Sequence, residues 1–72
     1  MSEEERTSQM DKLKSNAIMA MEPREGIIAV DALAEFGEEA VSRLLAISGA
    51  SSLANTYVKQ AANSAIAKIM RL

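Results

Sequence analysis

The sequence predicts an all-α fold. Apolar residues recur at helical spacing in four successive stretches. One proline and three glycines leave little turn material for a chain of many short strands. The apolar residues make up 49% of the chain, with aromatics only 3%, and most are Ala, Leu and Met, which are good helix formers.

Each element follows from local chemistry. Residues 1–7 are expected to be disordered, because Glu3, Glu4 and Glu5 repel and nothing apolar anchors them. Ser8-Gln9-Met10-Asp11 has the form of a capping box, so the first helix is placed at 8–21. Met10, Leu13, Ala17 and Met21 form its stripe, flanked by Ile18 and Ala20. Glu22-Pro23 ends that helix and opens the next at 23–36, because proline disfavours helix in the preceding residue and suits a first turn. Ile28, Ala29, Ala32, Leu33 and Phe36 form the second stripe, and Gly37 is the stop. The third helix, 38–48, buries Ala40, Val41, Leu44, Leu45 and either Ile47 or Ser48, and Gly49 ends it. Ser51 or Ser52 caps the fourth, 52–71, whose stripe is Leu53, Val58, Ala62, Ala65, Ile66, Ile69 and Leu72. Short links make neighbouring helices fold back on one another, within a single domain over 8–72.

Size and charge narrow the function. A core in a chain of 72 residues contributes roughly 3–5 kcal/mol net, and small domains usually add a staple. Cysteine and histidine are both absent, which excludes disulfides and argues against zinc. Oligomerisation is the remaining route. Residues 26–50 carry four acids and one base, whereas 51–72 carry Lys59, Lys68 and Arg71 and no acid. An acidic middle beside a basic end sets up pairing within the fold or between copies. No apolar run approaches the roughly 20 residues needed to span a bilayer, and the acidic start is unlike a secretory signal, so a cytoplasmic protein is expected.

An internal similarity points to a class of job. Ile28 to Phe36 can be laid over Ala61 to Ile69 at an offset of 33 residues, matching Ala29, Ala32 and Ala34 to Ala62, Ala65 and Ala67. With thirteen alanines the identities weigh less than the order of elements. Ala32-Leu33-Ala34-Glu35-Phe36-Gly37 resembles the end of the first helix of a HEAT-like repeat. Gly37-Glu38-Glu39-Ala40-Val41-Ser42-Arg43-Leu44-Leu45 resembles the second helix, and the stretch from Tyr57 to Ile69 resembles the first helix of the next repeat. Ser42 stands where that family often has proline, and Ala67 where it often has glycine. The resemblance covers about residues 23–70 and implies one and a half helical hairpins, a fragment of an α-α superhelix. It also implies a non-catalytic protein-binding scaffold, without a cofactor. Repeat arrays need about three or more units to cover their ends. The ends here are therefore expected to meet a second copy, with the first helix capping one side. The expected interface residues are Ile66, Ile69, Met70 and Leu72, with Arg43 and Tyr57.

Other chemistries fit less well. Only Glu38, Glu39 and Ala40 separate Gly37 from Val41, too short a turn for a helix-turn-helix, and two carboxylates would lead its recognition helix. Lys59, Lys68 and Arg71 make no stripe along their helix. A small regulatory protein associated with nucleic acid is therefore the alternative and not the first reading. Asp31, Glu35, Glu38 and Glu39 offer oxygens but no calcium-loop spacing, so no metal is expected. Without histidine, general acid–base catalysis lacks its commonest agent, and no enzyme is expected. Met10, Met19, Met21 and Met70 are read as core filling in preference to an adaptable binding groove.

Overall fold

The computed structural model describes residues 2–50 and 56–71 and is all-α, with its helices arranged in hairpins as the sequence predicts. The helices are α1 (Glu3–Met19), α2 (Pro23–Ala34), α3 (Val41–Gly49) and α4 (Thr56–Met70), with a 3₁₀ turn at Gly37–Ala40 before α3. The expected cap at Ser51 or Ser52, and the places of Leu53 and Leu72 in the last stripe, lie outside the described residues.

The first helix begins at Glu3, not Ser8, so most of the segment expected to be disordered is helical. Ser2 supplies the reason. Its Oγ accepts from the Glu5 backbone N–H at 3.2 Å and donates to Glu5 Oε1 at 3.1 Å. The Ser-x-x-acid signal thus stands at Ser2 to Glu5, and Ser8 to Asp11 lies inside the helix. The three glutamates fall in the first turn, where the positive end of the helix dipole offsets their repulsion.

Two antiparallel hairpins result, α1 with α2 and α3 with α4. The α1–α2 turn is short because Glu22 is extended ahead of Pro23. The hairpins stack with α1 beside α3 and α2 beside α4, and the first helix is a full member of its hairpin. The stacked helices run parallel. Near their N-termini Gly26 of α2 abuts Val58 of α4, and farther along Asp31, Ala34 and Glu35 flank the same groove as Ser64, Ala65 and Lys68. On the other side Arg6 meets Glu39 and Asp11 meets Arg43. The outcome is a slab with extents of 33 × 27 × 17 Å.

The core lies between the hairpins. Its largest fully buried side chains are Val30, Leu33, Leu44 and Ile47, surrounded by Met10, Val58 and five alanines, Ala17, Ala29, Ala40, Ala62 and Ala65. The second stripe is rotated from the expected one. Gly26, Ala29, Val30 and Leu33 are buried, whereas Ile28 is 62% exposed. The reason is that α2 lies between α1 and α4 and turns Val30 inward, which leaves Ile28 on an open flank. Leu45 is likewise outside, at 55%.

The burial pattern repeats, and its register differs from that of the alanine match. Along α2 and α4, Val30, Leu33 and Ala34 correspond in burial to Ala62, Ala65 and Ile66, an offset of 32 residues (30 to 62). Along α1 and α3, Met10, Asp11 and Lys14 correspond to Leu44, Leu45 and Ser48, an offset of 34 (10 to 44). Equivalent positions in the two hairpins therefore share a face without sharing residue types.

Two glycines are required by this geometry. A Cβ on Gly26 would come within 2.4 Å of Val58 Cγ2. Gly26→Ala gains about 1 kcal/mol of helix propensity but meets an overpacking penalty of about 1–3 kcal/mol against a stiff β-branched side chain. The expected result is a net loss of stability in thermal or urea unfolding. Adding Val58→Ala should lower that loss, so the double variant will be more stable than the sum of the singles predicts; strict additivity would contradict the close approach. Gly37 has φ 71° and open space where a Cβ would stand. Gly37→Ala should therefore cost about 1–2 kcal/mol through the backbone alone, and Gly37→Asn less, because asparagine tolerates that conformation.

Candidate interaction surface

No polar or charged side chain is buried among the described residues, and no group of three or more metal-capable side chains converges there. The surface is therefore described by its grooves and its exposed apolar side chains. No helix among the described residues is long and apolar enough to cross a membrane.

Two grooves flank α2. One, about 540 Å³, lies between α1 and α2 on the outer side of the first hairpin, lined by Leu13, Met19, Ile28, Ala29 and Ala32, with Asn16 and Glu25 at its polar margin. The other, about 350 Å³, marks the seam between α2 and α4. There Asp31 and Glu35 of α2 line the same groove as Lys68 of α4, which brings part of the acidic middle of the chain to the basic last helix. Glu38 and Glu39 do not join Asp31 and Glu35; Glu39 turns to Arg6, with Oε2 at 3.0 Å from Nε.

The residues expected at an interface separate into distinct settings. Ile66 and Met70 stand four apart on one flank of α4, where Ile66 is half-buried and Met70 is 49% exposed. Ile69 points to the α2–α4 seam. Tyr57 is exposed at the other end of the helix. Leu72 lies outside the described residues. Arg43 is an internal link: its Nε donates to Asp11 Oδ1 at 2.8 Å, and its Nη1 lies 4.0 Å from Met10 Sδ. Of the four methionines read as core filling, only Met10 is buried. Met19 and Met21 sit at the α1 end and turn, and Met70 is in the last turn of α4, all places where the hairpins run out of neighbours.

Sequence reasoning missed Met19, Ile28 and Leu45 as exposed positions. A signal existed in the doublets Ile27-Ile28 and Leu44-Leu45. Consecutive residues on a helix point about 100° apart, so a narrow buried stripe accommodates one member and turns the other outward.

The two hairpins offer opposite faces to solvent. The first shows the α1–α2 groove with Met19 and Ile28. The second shows Leu45 and Ser48 of α3 beside Lys59, Asn63, Ile66 and Met70 of α4, and Ser48 Oγ donates to Asn63 Oδ1 at 2.6 Å across that face. No family model, no curated protein and no solved structure matches the chain.

The ion pairs differ in expected weight. Arg43 is largely covered, with 20% of its side chain exposed, and its Nη1 lies 4.0 Å from the buried Met10 Sδ. Arg6 is 37% exposed and its partner Glu39 is 51% exposed. Arg43→Ala should therefore destabilise by about 1 kcal/mol, through lost packing as well as charge. Arg6→Ala should stay within about 0.5 kcal/mol. Equal losses in urea unfolding would show that Arg43 contributes only as a surface charge.

Proposed function

We propose that this protein is a non-catalytic protein–protein interaction module, a small cytoplasmic scaffold of the HEAT-like kind that associates with further copies of itself. One observation carries the reading. Met19, Met21, Ile28, Leu45, Tyr57 and Met70 are all about half exposed or more, while the largest fully buried side chains among the described residues are Val30, Leu33, Leu44 and Ile47. A chain this short with so much apolar side chain outside has more to gain from association than from chemistry.

The repeat reading draws support from the parallel stacking of α2 on α4 and of α1 on α3, the relation that successive hairpins of a helical solenoid share. In this reading Ile66 and Met70 belong to an interface as expected, Arg43 holds the hairpins together, and Met19, Ile28 and Leu45 join the interface set.

Sedimentation velocity from low to high micromolar concentration tests self-association. The expected outcome is a weight-average mass that rises above the monomer, with a melting temperature that rises in step, because association stabilises the folded form by mass action. A monomer throughout, with a concentration-independent melt, would remove this reading.

A further inference from the structure

We propose that copies of this chain associate head to tail, with the Leu45–Met70 face of one copy seated on the Met19–Ile28 groove of the next, continuing the stack that the two hairpins already form. This rests on the self-association proposed above and specifies its geometry.

The internal seam is the template. Asp11, Asp31 and Ala34 form the side of the first hairpin that meets the second; Arg43, Ala61 and Ser64 form the side of the second that meets the first. The burial registers carry each side to its open equivalent. Asp11 maps to Leu45, and Asp31 and Ala34 map to Asn63 and Ile66, which lie on the open face of the second hairpin. Ala61 and Ser64 map to Ala29 and Ala32, which line the open groove of the first. One further translation therefore sets Asn63 and Ile66 against Ala29 and Ala32 of another copy. The equivalents of these two surfaces already meet, in the same relative placement, inside the chain.

Side-chain chemistry favours this pairing. At the seam Asp11 and Arg43 meet as ions. Their open equivalents are Leu45 and Gln9, so the end faces replace an ion pair with a more apolar contact. Met19 and Ile28 on one face, and Leu45 and Met70 on the other, supply the remaining apolar area. Charge sets the polarity. Lys59 lies one turn from Asn63 on the second hairpin's open face, and Glu25 edges the first hairpin's groove. The repeated translation sets the face that carries Lys59 against the groove that Glu25 edges, so a base and an acid lie on opposite sides of the joint. Two like faces brought together would instead depart from the internal seam, where unlike sides meet. The interface is thus heterologous, of the type that gives rings or open chains.

The test uses two full-length variants, each blocked on one face: Met19→Glu with Ile28→Glu, and Leu45→Glu with Met70→Glu. All four positions are exposed, and unchanged helical circular dichroism checks the fold. Each variant alone should sediment as a monomer at concentrations where the unaltered chain assembles. An equimolar mixture should give a one-to-one dimer and nothing larger, because each partner contributes its one open face. If the unaltered chain assembles but the mixture stays monomeric, the head-to-tail geometry is overturned and self-association stands. Assembly by either variant alone also overturns it, since the blocked face is then dispensable. A monomeric unaltered chain removes both proposals together.

Discussion

The stack depends on how closely α2 and α4 approach one another at Gly26 and Val58. Helices normally lie 8–10 Å apart, at a spacing set by the side chains between them. Here that space holds a glycine with no Cβ, and farther along the same seam are Ala34, Ala61 and Ala65. The small residues do more than permit proximity. They bring the second hairpin near enough for Arg43 to reach Asp11, and they leave the central volume to Val30, Leu33, Leu44 and Ile47. A larger side chain at the Gly26 end would pry α4 outward and loosen contacts well away from itself, because close-packed interiors transmit such strain.

Much of this fold was legible, and the illegible part has physical causes. Class, helix number and the breaks at Glu22-Pro23 and Gly37 follow from periodicity and backbone chemistry, which are local. The start of α1 was misplaced because two Ser-x-x-acid signals compete along the same stretch and the glutamates repel in the unfolded chain; only the formed helix has a dipole to offset them. The rotation of α2 was illegible for another reason. A helix with neighbours on two sides has a wide buried arc, and the spacing of Ile27, Ile28, Val30, Ala32 and Leu33 does not say which edge of the arc is left bare. Gly26 carries no periodic signal at all, since its role is defined by Val58, a residue 32 positions away (26 to 58).

The candidate surface was legible in part for similar reasons. Ile66 and Met70 lie on an open face because no helix among the described residues packs on that side of α4. Arg43 is expected at an interface from sequence alone, because sequence does not reveal that Asp11 lies across from it. The alanine overlay at 33 residues pointed to the correct pair of helices and missed their register by one. Alanine is spread through the whole chain, so identity is a weak ruler, whereas burial is imposed by the stacking itself. A repeat kept by geometry can lose its sequence likeness, since each position needs only a side chain of suitable size and polarity.

Translation has a consequence that rotation avoids. Two units related by a two-fold axis cover each other and leave nothing over, but two units related by translation always leave one unused copy of each face. In this chain the seam is joined by the Asp11–Arg43 ion pair, whereas the equivalent outer positions are Leu45 and Gln9. An end that needed only to be soluble would carry charge in place of Leu45, as terminal repeats of helical arrays do with their polar outer faces. On the repeat reading proposed above, a chain that keeps Met19, Ile28, Leu45 and Met70 exposed would have the features of an internal unit. Stability and association are then linked, because each added copy covers two end faces while the bare ends of an open chain stay at two. On the association proposed above, the small core is sufficient within an assembly, and Met19, Ile28, Leu45 and Met70 would specify what joins it.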